Sequence, residues 1–222
     1  MGIYKYDVYR SPNIGLFVKS NNTLLCVPFG FAETKVKKLE EYLGVEKMIY
    51  VSVAGTRLVG PLTVMTNNGI LLPSTASDEE LKIFKNASKL NVERLDSKLT
   101  AIGNLISAND KGAVVSSLIN AEAHNQIRDV LGVQVEALSI AGFTQTGSMI
   151  VSTNQGAGVH PSATDEEIQA ISEILEVDVE PATVNGGIPY LSSGIVANSK
   201  SIVVGGLTTG PELIILSRAF NI

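Results

Sequence analysis

Val51-Ser52-Val53-Ala54-Gly55-Thr56-Arg57-Leu58-Val59-Gly60 runs into Leu62 to Met65, then Asn67-Asn68-Gly69, then Ile70-Leu71-Leu72-Pro73. Small residues lead to a turn that ends at Gly60. Leu62 to Met65 predicts a strand, and Asn67-Asn68-Gly69 a hairpin-type turn that tolerates positive φ. Ile70 to Leu72 predicts a buried strand that Pro73 stops. Ser77 and Glu80 then form a capping box, with Asp78 and Glu79 at the favourable end of the helix dipole and Leu81 and Phe84 as the apolar stripe. The unit is strand, strand, helix, strand.

This unit recurs through the chain. The turn glycine falls at Gly15, Gly60, Gly103, Gly147 and Gly194, and the following Asn at Asn22, Asn67, Asn109, Asn154 and Asn198. Helix ends read Leu43-Gly44-Val45, Leu90-Asn91-Val92, Leu131-Gly132-Val133 and Leu175-Glu176-Val177. The spacing is that of one supersecondary element copied five times with small loop changes. Helix starts recur at Thr164/Glu167, ahead of Ile168, Ile171, Ile174 and Leu175, and at Thr209/Glu212, ahead of Leu213 and Leu216. The first and third helices carry the stripes Val36, Leu39, Leu43 and Ile127, Val130, Leu131.

One such unit cannot bury both its sheet and its helix, so the copies must pack on one another. A linear stack needs polar caps, and neither end copy has them. The expected fold is therefore α/β, a five-fold pseudosymmetric closed ring of strand-strand-helix-strand repeats. The fifth copy lacks its strand after the helix, and Ile3 to Tyr9 is the spare strand that could complete it. The repeats are placed at about 11–50, 51–96, 97–137, 138–181 and 182–222, in a single domain spanning 1–222 with 3–9 closing the ring.

The 222 residues are 45% hydrophobic and 18% charged, with a net charge of −5. That balance suits a compact domain and argues against binding free nucleic acid, which rests on neutralising phosphates with Lys and Arg. No segment reads as a membrane span or a secretory leader. A single cysteine, Cys26, excludes an internal disulfide and fits a reducing cytoplasm.

Little here reads as catalysis. Cys26 lies in the apolar run Leu24-Leu25-Cys26-Val27, whereas a reactive thiolate needs an electropositive, partly exposed setting. His124 reads as a helix residue, and His160, before Pro161, is aligned with Leu72 and Val27 as a strand end. The glycine pairs carry neither a P-loop nor a dinucleotide fingerprint, and no metal-ligand spacing appears. Glu79-Glu80 and Glu166-Glu167 are explained by capping. No catalytic residue, cofactor or metal is expected. What remains are uncharged groups at equivalent turns, Asn67, Asn68, Asn104, Asn109, Asn154, Gln155, Asn185 and Asn198, with Arg57 beside them. If equivalent positions share one height, these could line one end of the ring as a docking surface.

Several stretches resemble the archaeal and eukaryotic translation initiation factor 6 family. They are Ser52-Val53-Ala54-Gly55-Thr56-Arg57 with Gly60, Asn67 to Pro73, Leu99-Thr100-Ala101-Ile102-Gly103-Asn104, Ser152-Thr153-Asn154-Gln155-Gly156 with Val159-His160-Pro161, and Thr183-Val184-Asn185. The short C-terminus looks like the archaeal form. The resemblance implies the pentein fold, also called a β/α propeller. It implies a monomeric, cytoplasmic anti-association factor that binds the intersubunit face of the large ribosomal subunit. The implied partner there is chiefly ribosomal protein uL14 near the sarcin–ricin loop, and a role in subunit biogenesis is also implied. Arg57 and Asn104 match positions on the family's ribosome-facing side. The segment containing Leu213, Leu216 and Phe220 resembles its last helix, near the uL14 contact. Pro61 stands where members often carry a basic residue, so no salt bridge is expected there. The rival readings are a guanidine-modifying enzyme, which the same ring also hosts, and a scaffold for a non-ribosomal partner.

Overall fold

A computed structural model describes residues 2–222. Five three-stranded sheets stand around an axis like blades. In the second blade the inner strand Val64–Met65 pairs antiparallel with Gly69–Pro73, which pairs parallel with Asn91–Leu95. The helix Asp78–Ser88 makes the crossover between the parallel strands on the outside. The same plan gives inner strands Lys19–Ser20, Ile106–Ala108, Ile150–Ser152 and Ile195–Ala197 in the other blades, and helices Glu33–Leu43, Ala121–Leu131, Asp165–Leu175 and Gly210–Ala219.

The N-terminal strand closes the ring. Ile3–Lys5 pairs parallel with Ile202–Val204 as the third strand of the fifth blade, in the register Ile3 to Ile202, Tyr4 to Val203 and Lys5 to Val204. Five apolar cores lie between blades rather than within them. Leu71 and Leu95 of the second blade pack with Val115 and Ile127 of the third, and Leu25 and Val27 of the first with Val203 of the fifth. Each helix therefore buries its stripe against its own sheet and a neighbour's, as a repeat that cannot fold alone requires.

Several details differ from the sequence reading, among them the closing strand, which spans Ile3–Lys5 rather than the expected 3–9. The expected strand Leu62–Met65 begins only at Val64, because Val59–Leu62 is a single helical turn. The equivalent turns Ile14–Leu16, Ile102–Asn104, Thr146–Met149 and Leu191–Gly194 are likewise too short to leave a periodic signal. The Asn markers mix two adjacent positions. Strand register makes Asn21, Thr66, Asn109, Thr153 and Asn198 one set, and Asn22, Asn67, Asp110, Asn154 and Ser199 the next. Leu90 is similarly displaced, since the left-handed cap of that helix is Lys89, not a residue at 91.

Four of the five turn glycines, Gly15, Gly60, Gly103 and Gly147, sit where backbones of successive blades nearly touch; strand register puts Ser192, not the expected Gly194, at the fifth position. A Cβ on Gly60 would lie 1.7 Å from the Gly15 carbonyl oxygen, and one on Gly103 would lie 2.2 Å from that of Gly60. No side chain fits at Gly60 or Gly103.

The ring's two ends differ. At the lower end lie the hairpin turns and the helix C-termini; at the upper end the parallel strands finish and the helices start. At the upper end Glu80 does more than cap. Its carboxylate accepts from Ser77 N at 2.9 Å and also from Ser52 Oγ at 2.8 Å, Ala54 N at 2.9 Å and Gly55 N at 3.0 Å. Glu167 takes Thr164 N and Ala141 N, and Glu212 takes Thr209 N, Thr183 Oγ1, Gly186 N and Gly187 N. These clamps hold hairpins whose tips are strained, with Ala54 at φ 51° and Ala141 at φ 50°. Such conformations cost about 1–2 kcal/mol each without glycine. The third helix has Ala123 at the equivalent position, and the loop before its blade forms no bridged hairpin.

Two outcomes follow for stability. Gly60→Ala should prevent folding or cost several kcal/mol, since a backbone oxygen blocks the methyl, whereas Gly210→Ala, with open space, should leave the melting temperature unchanged. Burial alone would raise the Glu212 carboxyl, but hydrogen bonds from Thr209, Gly187, Thr183 and Gly186 outweigh it and lower it from 4.5 to about 2. Its stabilisation is complete above 4.5 and is lost as pH falls through about 2. Glu212→Gln should therefore melt lower than the parent at pH 7, by about 2 kcal/mol, and the gap should close between pH 5 and 2. A constant gap would show that the carboxylate charge contributes nothing.

Candidate functional site

Sequence-based candidates fall on opposite ends of the ring. Asn67, Asn68, Asn154 and Gln155 belong to lower-end turns, whereas Arg57, Asn104 and Asn185 belong to the upper end. They form no single rim. The premise of one common height fails because the unit places polar turns at both of its ends.

At the lower end the Asn side chains are consumed by one another. Ser199 N donates to Asn22 Oδ1, Asn22 N to Asn67 Oδ1, Asn67 N to Asp110 Oδ1 and Asp110 N to Asn154 Oδ1, all at 2.8–3.0 Å. Asn67 Nδ2 and Asn154 Nδ2 also donate to the Asp110 carboxylate. One layer deeper, Asn198 Nδ2 donates to Asn21 O, Asn21 Nδ2 to Thr66 O and Asn109 Nδ2 to Thr153 O. Asn67 and Asn154 thus link blades into a collar. Asn68 and Gln155 are exposed at its edge.

The segment at the C-terminus is corrected similarly. Leu216 is 0% exposed and Phe220 1%, both in the core between the fourth and fifth blades, with Leu213 half-buried beside them. Neither Leu216 nor Phe220 can touch a partner without unpacking. The exposed apolar residue of that helix is Ile214. Asn185 is buried too, donating from Nδ2 to Pro12 O at 3.0 Å and so tying the fifth blade to the first.

The upper end presents a different chemistry. Among the described residues, the exposed large apolar side chains are Tyr9, Phe29, Leu58, Leu118, Phe143, Ile188, Tyr190, Leu207 and Ile214. All but Ile214 lie in upper-end loops. Clustering of this kind marks an interaction surface, because scattered exposure would divide between the ends. Periodicity could not reveal it, since these residues sit in irregular loops, each alone in its sequence neighbourhood.

Arg57 stands in this rim, exposed, with its guanidinium carbon 5.8 Å from the Tyr9 ring centroid. Tyr9 in turn packs edge-on against Phe17 and Phe31. Asn104 is half-buried and lines the axial opening inside the rim. Across the ring His160 lies between Phe143 and Tyr190, with centroids 5.9 and 6.1 Å away. Register aligns it with Pro28 and Pro73, one residue beyond the strand position expected for it. Burial lowers its pKa, partly opposed by Glu167, and its Nδ1 accepts from Ser162 N. The ring is held neutral as a packing element.

Cys26 is fully buried, and desolvation pushes its thiol well above the usual range, so no thiolate is available. Cys26, His124 and His160 belong to the first, third and fourth blades. Among the described residues no group of acidic, His or Cys side chains could hold a metal ion, and no helix is long and apolar enough to cross a membrane.

The model of the eIF-6 family matches residues 3–219. The chain is 51% identical to translation initiation factor 6 of Nitrosopumilus maritimus and 50% identical to that of Cenarchaeum symbiosum, covering 99% of both chains in each case. It is 38% identical to translation initiation factor 6 of Pyrococcus abyssi, over the full length of both. With its ring of five repeats, and relatives that match it from end to end, the chain belongs to the eIF-6 family and is a translation initiation factor, not an enzyme.

Proposed function

We propose that this chain binds the intersubunit face of the large ribosomal subunit with its upper end and blocks association of the small subunit by steric exclusion. The observation that carries the assignment of the face is that eight of the nine exposed large apolar side chains among the described residues lie at that end, which also carries Arg57. A stable docking surface joins an apolar centre to a few polar anchors, and aromatic and Arg residues dominate such contacts. The partner contacted is chiefly ribosomal protein uL14, near the sarcin–ricin loop. A net charge of −5 suits a basic protein partner better than bare RNA. The factor acts as a cytoplasmic monomer, and its occupancy of the joining face also fits a role in large-subunit biogenesis.

Steric exclusion needs no bond chemistry. It needs a body that occupies the joining face and does not deform, which interlocked blades supply.

Arg57→Glu and the double variant Leu58→Asp/Tyr190→Asp should each weaken comigration with isolated large subunits in sucrose gradients about tenfold or more. The dose-dependent loss of the joined-subunit peak should weaken in parallel, with little change in melting temperature. Ile214→Asp, exposed but on the outer helix, should bind as the parent does. Unchanged binding by both upper-end variants would refute this face, and failure of the parent to comigrate would refute the ribosomal reading itself.

A further inference from the structure

The inner strands and turn glycines enclose an axial cavity of about 70 Å³. Its lining includes Lys19, Asn104, Ser107, Ser152 and Ser192. Lys19 is the one charged residue among the described residues that line it.

Nothing in the fold calls for lysine here. Strand register aligns Lys19 with Val64, Ser107, Val151 and Val196 in the other four blades. Three of the five equivalents are valine, so the position tolerates a plain apolar side chain. Its cross-strand partner is the buried Cys26. Lys19 is half-buried, and desolvation lowers its pKa from 10.5 to about 8, opposed by Cys26, so the side chain stays mostly cationic at pH 7.

A half-buried ammonium in a narrow cavity gains from a counter-charge or good hydrogen-bond acceptors. Among the described residues, no ion pair involves Lys19. The cavity wall offers it no carboxylate. The polar side chains that share the cavity wall with it are hydroxyls and an amide, which can donate as well as accept. Ser107 Oγ and Ser152 Oγ lie 3.3 Å apart, sharing one proton between them and leaving the other free to point inward. A cationic centre ringed by donors and free of acids is the chemistry of an anion site.

We infer that the axial cavity binds one small inorganic anion, of which chloride is the simplest, with the Lys19 ammonium as its counter-charge and the Ser107, Ser152 and Asn104 side chains as further donors. By size the cavity holds roughly five water-sized spheres, enough for a halide with its remaining water and too few for a nucleotide. The anion would neutralise the charge that the first blade introduces and link its inner strand to those of the third and fourth blades. This site is independent of the docking face, because it sits inside the ring.

Thermal unfolding at pH 7 and constant ionic strength, with chloride replacing gluconate, tests it. For a site in the 10 mM range, 100 mM chloride multiplies the folded-to-unfolded ratio about elevenfold and raises the melting temperature by about 3–6 °C, saturably. Lys19→Met and Lys19→Val should fold and lose that dependence. Crystals grown in bromide should show anomalous scattering within hydrogen-bond reach of Lys19 Nζ in the parent only. Chloride and gluconate curves that coincide for the parent would overturn the site, leaving water as the sole partner of the lysine. So would a chloride response that persists in Lys19→Met, or a bromide seen in the crystal without saturable stabilisation in solution.

Discussion

Backbone contact at the axis sets everything else about this molecule. Where Gly15, Gly60 and Gly103 bring main chains of successive blades to a distance that no Cβ could occupy, the inner strands are held close enough to share one layer of hydrogen bonds. The collar of Asn22, Asn67, Asp110 and Asn154 can then span from turn to turn. Its fifth link is missing because Ser199 has no side-chain carbonyl to accept from Asn154 N. Closure does not hang on that link. It is carried by the N-terminal strand on the fifth blade and by interblade cores such as the one that holds Phe220.

How much of this was legible in the sequence divides along physical lines. The copy number, the closed ring, the strand that completes it and the capping boxes at Ser77, Thr164 and Thr209 all rest on local signals repeated at a fixed spacing. The allocation of Leu216 and Phe220 was not legible, because an amphipathic stripe says which residues share a face but not whether a partner or the core covers it. For Asn67 and Asn154 the difficulty is different. Locally each is a turn residue, yet its hydrogen-bond partners lie more than forty residues away in a neighbouring blade. The upper-end apolar rim left no sequence signature at all, since only topology assembles its members.

The glutamates show how one residue can serve two levels of structure. Glu80, Glu167 and Glu212 are sufficiently explained by helix capping when read locally, and that explanation is correct as far as it goes. A cap uses only part of a carboxylate's acceptor capacity. In this ring the rest is spent on the hairpin of the same repeat, Ala54 and Gly55 for Glu80 and Gly186 and Gly187 for Glu212. The strained tips, and with them Arg57, Leu58, Ile188 and Tyr190, are thereby fixed to the starts of the helices.

This coupling explains why the two ends have diverged in chemistry within a near-symmetric repeat. The lower end meets its own hydrogen-bonding needs: amide and carboxylate groups there are paired blade to blade, leaving little to offer a partner. At the upper end the carboxylate clamps of Glu80, Glu167 and Glu212 satisfy hairpin backbone from beneath, so exposed side chains such as Leu58 and Ile188 are not needed for that task. Apolar residues can then be exposed on hairpins tied to the helix starts. For a factor that acts as proposed, by occupying a surface, fixed loops would matter, because a partner's approach is resisted only as strongly as the obstacle resists deformation. A flexible loop with the same Arg57 and the same aromatics could bind, but joining subunits could displace it sideways. Mounted on clamped hairpins over five interblade cores, the same side chains would, on the proposed mechanism, hold the whole ring in place.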